Sequence, residues 1–267
     1  VQEWEVKKAS GEQVGWRPAI PLGSPLSSKR PYALHNGMIA PLYELPIKGV
    51  LWYQGEGNAK TRKSCVQYET LLKDLVTHWR ANWGNESMPF LVVQLPGFGK
   101  ATEKINTSHN WPWMRESQKN IEDITNCRAV CTIDSGMQRD IHPPFKENVG
   151  KRLAYAAQSM VYKQSSAPQS PAYSMHQFDG ESTLITFKNV GSGLITSDPF
   201  IKNMNYNNGE VLGFSVIRTD GKYQRAIGEI IAYNQIRVLH PGISAPKSIR
   251  YGWENFPNLN LFGSDNM

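Results

Sequence analysis

Residues 49–58 read Gly-Val-Leu-Trp-Tyr-Gln-Gly-Glu-Gly-Asn, an apolar run ending in a glycine-rich polar turn, and well downstream comes Asp140-Ile141-His142-Pro143. A histidine base needs an acceptor on its far ring nitrogen, to fix one tautomer and to stabilise the imidazolium it becomes. Asp140, two residues away in a tight loop, has the type and spacing to supply it. Gln54, Gly55, Glu56, Gly57 and Asn58 offer side-chain and backbone amides of the kind that stabilise charge building on a carbonyl oxygen. The two glycines let backbone approach a substrate closely. Base, orienting acid and oxyanion donors are three parts of ester hydrolysis by a hydroxyl nucleophile. Each also has an ordinary reading: a surface Asp beside a loop His, a tight turn, and a solvated Glu56 in place of a second general base.

Other reactive side chains show no such grouping. His35, His78, His109, His176 and His240 have no partner spacing, and no His/Cys/Asp cluster has the spacing of metal ligands, so neither metal nor cofactor is expected. The three cysteines, Cys65, Cys127 and Cys131, cannot all pair, and buried free thiols are expected. Cys131 lies in an apolar run, where a thiol is inert as a nucleophile for His142. Trp111-Pro112-Trp113 is either a sugar-stacking platform or ordinary packing.

The elements that must position these groups follow from periodicity. Val50–Tyr53, Phe90–Val93 and Ala129–Ile133 are short continuous apolar runs, as in strands buried on both faces. Between and after them lie three segments of helical period. Residues 64–83 turn Tyr68, Leu71, Leu72, Leu75, Val76, Trp79 and Trp83 inward, and Gly84 closes them. Residues 113–124 bury Met114, Ile121 and Ile124, and residues 146–162 bury Val149, Leu153, Ala156, Ala157 and Met160. Strand and helix in alternation mean parallel strands with crossover helices, which bind ligands at the carboxyl ends of the strands. Gln54–Asn58, Gln94 and Asp134 follow the three strands and so share that edge. After the Pro/Ser/Gln stretch from Ser165 to Pro171, short alternating segments between turns (Asn207-Asn208-Gly209, Asp220-Gly221) predict an antiparallel β-sandwich. The division expected is 1–165 and 166–267. Residues 1–35 have little periodicity, and Pro18, Pro21, Gly23, Pro25 and Pro31 predict irregular backbone.

The chain has 267 residues, 40% hydrophobic and 19% charged, with net charge +6. Its basic residues are scattered in pairs at most, which argues against a nucleic-acid surface. No run of 18 apolar residues predicts a membrane span, and no secretory leader is read. The chain starts at Val1 within polar sequence, as a processed or partial chain does.

Together the residues resemble the bacterial sialate O-acetylesterases of the SGNH hydrolase superfamily. The resemblance is carried by His35-Asn36-Gly37-Met38-Ile39-Ala40-Pro41-Leu42, Gly49 to Ala59, Val93-Gln94-Leu95, Trp113-Met114-Arg115-Glu116-Ser117-Gln118, Asp140-Ile141-His142-Pro143 and Asn148-Val149-Gly150. Ile249 to Asn255, with Asn260-Leu261, looks like the family's last strand. The resemblance implies a partial three-layer, parallel-sheet α/β fold followed by a smaller β-sandwich. It also implies removal of O-acetyl groups from sugars by a serine–histidine–aspartate mechanism, and a periplasmic or secreted protein. His142 then matches the base and Asp140 its partner, with Asp134 a lesser candidate. Gln54, Gly55, Glu56, Asn58, Gln94 and Arg115 fall in the oxyanion and substrate-binding blocks. The family's Gly-Gln-Ser-Asn nucleophile motif does not occur in this sequence; Ser10-Gly11-Glu12-Gln13 is a poor shadow of it. The expectation is therefore a C-terminal part of an esterase, its sheet completed by an N-terminal fragment or partner subunit that carries the serine. The competing expectation is an inactive remnant or sugar-binding module.

Overall fold

A computed structural model describes residues 2–15, 30–101, 105, 108–197 and 209–265. The proline-rich loop around Pro18–Pro25 and the Asn207-Asn208 turn lie outside the described residues. The chain divides into two compact units, Val1–Ile47 with Asn82–Gly84, and Lys48–Ala81 with Asn85–Met267. In the first unit, α1 (Gln2–Ala9) is followed by short helical turns at His35–Ile39 and Ala40–Leu42. α1 is an element that periodicity does not reveal: its Trp4 and Val6 do not make a stripe. Trp83 closes this unit, stacking edge-on against Tyr43 at 4.6 Å and donating its indole N–H to the Leu45 carbonyl at 3.2 Å.

The second unit opens with three parallel strands, β1 (Val50–Trp52), β2 (Phe90–Val93) and β3 (Cys127–Val130), in the order β1-β2-β3. β2 is central and buried throughout, which is why it reads as a continuous Phe-Leu-Val-Val run. The crossovers are α2 (Arg62–Asn82) and α3 (Trp111–Lys119), the latter extended by a 3₁₀ turn at Asn120–Asp123; α4 (Glu147–Met160) follows β3. α2 buries Cys65, Tyr68, Leu72, Val76 and Arg80. Leu71, expected inward, is 50% exposed, because the buried stripe is narrower than the apolar one. α4 buries Val149, Arg152 and Ala156. The third strand starts and ends earlier than expected, since Phe90 pairs with Cys127 and the apolar residues up to Ile133 already belong to the loop.

Eight further strands follow: β4 (Ala172–Asp179), β5 (Ser182–Lys188), β6 (Leu194–Thr196), β7 (Glu210–Ile217), β8 (Tyr223–Ala232), β9 (Gln235–Leu239), β10 (Ser248–Tyr251) and β11 (Leu261–Gly263). Six form an antiparallel sheet in the order β10-β7-β8-β9-β5-β4, and β11 pairs with β6. Val211, Phe214, Val216, Ile236 and Val238 of the larger sheet share a core with Leu194 and Leu261 of the smaller one. Among the described residues, no helix is long and apolar enough to cross a membrane.

The loops leaving β2 and β3 keep running side by side. Gly97 donates to the Ile133 carbonyl at 3.0 Å, Gly99 donates to Gln138 at 3.2 Å, and Phe98 and Met137 form an isolated parallel bridge. The approach is so close that a Cβ on Gly136 would collide with the Gly97 carbonyl. Gly136→Ala should therefore cost about 1–3 kcal/mol, as overpacking does. Urea unfolding measures it, and a loss below the error of the method would mean that the paired loops can separate freely.

Candidate active site

The turn after β1 is held from beneath. Tyr68 donates its hydroxyl proton to the Gln54 carbonyl at 2.9 Å and accepts the Trp52 indole N–H at 3.0 Å. Gln118, fully buried on α3, donates from Nε2 to the same Gln54 carbonyl at 3.0 Å and accepts the Leu95 N–H on Oε1 at 2.8 Å. One side chain thus ties the carboxyl ends of β1 and β2 together. Gly55 has φ +150°, and a Cβ there would press on Gln118 Nε2 and on Met114, so glycine is what lets α3 support the turn. Glu56–Asn58 then forms a 3₁₀ turn. Gln54 Nε2 donates to Asn58 Oδ1 at 3.0 Å, and Ser64 Oγ donates to the Asn58 carbonyl at 2.6 Å. Asn58 Nδ2 has no protein acceptor among the described residues, the state in which an amide can stabilise an oxyanion. The Glu56 charge helps to keep the Tyr53 and Tyr68 phenols protonated; burial is the larger cause for each.

Asp140 and His142 are exposed in the loop that follows β3. The Asp140 carboxylate accepts the His142 backbone N–H at 2.8 Å, so it orders the loop through the main chain. Lys146, further along, lies 4.8 Å over the Tyr53 ring and donates to its hydroxyl at 3.4 Å, linking this loop to the end of β1. Asp134 is engaged elsewhere: Arg152 grips it through both guanidinium nitrogens at 2.5 and 2.8 Å.

Gln94 and Arg115 make their hydrogen bonds to groups other than the Gln54 turn. Gln94 Nε2 donates to the Arg115 carbonyl at 2.8 Å. Arg115 Nη2 reaches the carbonyls of Gly252 and Glu254 at 2.9 and 2.6 Å. Trp111 is a packing residue, its indole N–H given to the Pro96 carbonyl at 2.7 Å. Trp113 is half-buried, with Arg62 3.9 Å from its ring centre and Trp253 edge-on at 5.0 Å. Burial pushes the Cys65 and Cys131 thiols up, which keeps both protonated and poor nucleophiles.

Asn255 and His109 escaped sequence reasoning. Asn255 accepts the Phe98 N–H on its carbonyl at 2.9 Å and the Trp111 N–H on Oδ1 at 3.1 Å. Its own N–H goes to His109 Nδ1 at 3.1 Å, which leaves the ring proton on Nε2. The signal for Gln118 was available: a glutamine four residues after Met114 shares the buried face of its helix. His109 and Asn255 meet only through tertiary contact. The other histidines with no partner spacing also find partners in space, as His240 does with Thr183 at 2.9 Å and the Ile243 carbonyl at 2.7 Å.

A parallel α/β layer with its polar loops gathered at the carboxyl ends of the strands is consistent with an SGNH-like α/β hydrolase fold. The chain belongs to the family of carbohydrate esterases described as sialic acid-specific acetylesterases, whose model matches residues 16–159, more than half its length. It is 29% identical over 147 residues to the sialate O-acetylesterase of Mus musculus, a match covering 48% of this chain and 26% of that protein. The Homo sapiens sialate O-acetylesterase is also 29% identical, over 54% of this chain and 30% of that protein. The solved structure of a carbohydrate acetylesterase from Xanthomonas citri superposes with a TM-score of 0.75 and 33% identity, covering 87% of this chain and 51% of that one. The chain thus spans less than a third of the curated relatives and about half of the solved one.

Gln118→Met should leave the Leu95 N–H without its acceptor, at about 1–3 kcal/mol for a buried group so orphaned, while the Gln54 carbonyl keeps the Tyr68 hydroxyl. Denaturant unfolding of Gln118→Met reads the loss; stability equal to the parent's would show that Gln118 does not carry the turn. His109 gives a second expectation. Burial pulls its ring below the ordinary histidine value, with the Glu254 charge opposing and the Arg115 charge adding. The unfolded chain therefore binds this proton at a higher pH than the folded one. The stability it contributes is complete above the ordinary histidine value and is lost as pH falls through the depressed one. Melting temperatures between pH 8 and 5 should fall less steeply for His109→Asn than for the parent, and parallel curves would exclude His109 as the cause.

Proposed function

We propose that this chain supplies the base, its orienting acid and the oxyanion donors of a carbohydrate O-acetylesterase, with the nucleophilic serine on polypeptide outside it. Family membership supports the substrate class, an O-acetylated sugar such as an acetylated sialic acid or acetyl xylan. The observation that carries the reading is the Gln54–Asn58 turn, held by Tyr68 and Gln118 and ending in an Asn58 whose Nδ2 has no protein acceptor among the described residues. In this mechanism the serine hydroxyl attacks the acetyl carbonyl while His142 Nε2 takes its proton. The oxyanion is met by Asn58 Nδ2 and by backbone N–H groups of the turn, in the role described for such donors. His142 then returns the proton to the departing sugar oxygen, and water releases acetate by the same steps. Asp140 keeps one carboxylate oxygen for the His142 ring, the other being bonded to the backbone.

The serine strand belongs beside β1. That strand pairs on one side with β2, and Leu51 is 63% exposed. An apolar strand with an open edge is a template for another strand. In this arrangement residues 1–165 form the hydrolase layer and 166–267 the sandwich.

A second reading, an inactive remnant, draws on the Asp140 carboxylate being bonded to backbone instead of the His142 ring. Release of p-nitrophenol from p-nitrophenyl acetate separates the two. We expect background turnover from the chain alone. Turnover is expected when a polypeptide bearing the Gly-Gln-Ser-Asn strand is added or fused, with loss on the order of 10⁴-fold in His142→Ala, as for removal of a triad member. Comparable turnover by the chain alone would place the nucleophile within it, and a silent complemented protein would establish the remnant.

A further inference from the structure

The parallel sheet is covered on one face and half covered on the other. On the first face α2 lies beside α3 and its 3₁₀ extension, joined by Asn120 to Glu69 at 2.8 Å and by Lys73 to Asp123 at 2.9 Å. Trp79 of α2 stacks edge-on against Trp52 of β1 there. α4 takes the second face, where its Ala156 shares a core with Leu91 of β2 and Val130 of β3. Leu51 is in register with Leu91 and so stands on that second face. Leu91 is 2% exposed and Leu51 is 63% exposed. α4 therefore covers β2 and β3 and stops short of β1, although strands of a parallel sheet are ordinarily buried on both faces.

The flank of α4 that borders this gap is identified by Lys146, the residue before the helix, whose ammonium lies over the Tyr53 ring at the end of β1. Gly150 and Ala154 follow it at steps of four and share its side of the helix. Both are exposed, and a Cβ on Gly150 would meet nothing within 4 Å. Arg152, on the opposite flank, is tied to Asp134 beyond β3. A second helix can thus lie at the usual separation of about 8–10 Å from α4 and rest on Leu51.

The direction of winding selects which helix. α2 and α3 carry the chain from β1 to β2 to β3, and right-handed crossovers in one direction fall on one face. A strand on the outer side of β1, whose chain then runs outward, reverses that direction, so its crossover helix falls on the Leu51 face. The reversal makes the crevice between that strand and β1 a switch point, the place where open α/β sheets bind ligands. The Gln54 turn stands at that crevice.

We infer that Leu51 and the Gly150–Ala154 flank of α4 seat an amphipathic helix, the one that follows the serine strand in the polypeptide completing the sheet. This occupant follows only if the serine strand lies beside β1, as proposed for the esterase. The partner is then a strand–helix unit, parallel to β1 in its strand and apolar on the helix side that meets Leu51.

Thiol labelling tests it. The chain carrying Ala154→Cys is co-expressed with the part of the Xanthomonas citri acetylesterase that this chain leaves uncovered, and its reaction with a maleimide is followed alone and in the co-purified complex. The parent chain, with Cys65, Cys127 and Cys131, gives the background. Lys151→Cys, on the solvent side of α4, is the control. Labelling of Ala154→Cys should slow about tenfold or more in the complex, because the thiol reacts only when the helix lifts away, while Lys151→Cys keeps its rate. Ala154→Trp, shown folded by circular dichroism, should fail to co-purify. Unchanged labelling of Ala154→Cys, equal slowing of Lys151→Cys, no complex with the parent chain, or full assembly of folded Ala154→Trp would each overturn the inference. Turnover of p-nitrophenyl acetate by the same complex separates the two proposals. A complex that turns over while Ala154→Cys labels freely keeps the serine and loses the helix; a silent complex with Ala154→Cys protected keeps the helix and loses the serine.

Discussion

The carboxyl ends of β1 and β2 are where this sheet stops satisfying its own backbone, and the Gln118 amide closes that gap. It gives a proton to the Gln54 carbonyl and takes one from the Leu95 N–H, with no exposure to water. A buried backbone group left open there would cost free energy on the scale of a whole hydrogen bond. A residue with one donor and one acceptor on a short planar group is therefore required, and α3 must lie close enough to present it. Gly55 and Met114 set that closeness, and the position of the Asn58 amide follows from it. The chemistry proposed for the turn rests on a packing decision made one layer below.

The other two loops at this edge depend on the far end of the chain. Asn255 answers the Phe98 N–H and the Trp111 N–H, and its own N–H fixes the His109 tautomer. The antiparallel region is therefore a structural component of the edge where the candidate residues gather. The Gly97–Gly136 contact performs the equivalent task between the β2 and β3 loops, where backbone packs directly on backbone.

These relations explain what could be read in the sequence. Phe90–Val93 is found with the boundaries its apolar pattern gave, and α2 and α4 lie within two residues of expectation, because burial on a regular face leaves a periodic trace. β4 left none: seven of its eight residues are exposed, so Tyr173, Met175 and Phe178 do not alternate with a buried face. The Gln54 turn and the Asp140–His142 pair were legible as residue types at close spacing. Their supports were not, since Tyr68, Gln118 and Asn255 act across large separations in sequence. Gln94 and Arg115 shared the right motifs, but Gln94 bonds to the backbone of α3 and Arg115 to the carbonyls of Gly252 and Glu254, partners set by tertiary packing.

Arginine was the least legible residue of all, for a physical reason. Periodicity treats it as solvent-facing, yet Arg80, Arg115 and Arg152 are all buried. Arg80 is satisfied by the carbonyls of Met88 and Thr125 at 3.0 and 2.8 Å, locking the end of α2 to the starts of β2 and β3. Arg152 is satisfied by charge, through both oxygens of Asp134. A guanidinium has five donors in a fixed fork, so carbonyls can saturate its hydrogen bonds while leaving its charge unopposed. Arg80 spreads its donors over two loops, and Arg152 cancels its charge outright. Arg115 does neither completely: its Nη2 is held by two carbonyls, and its buried Nη1 has no partner among the described residues.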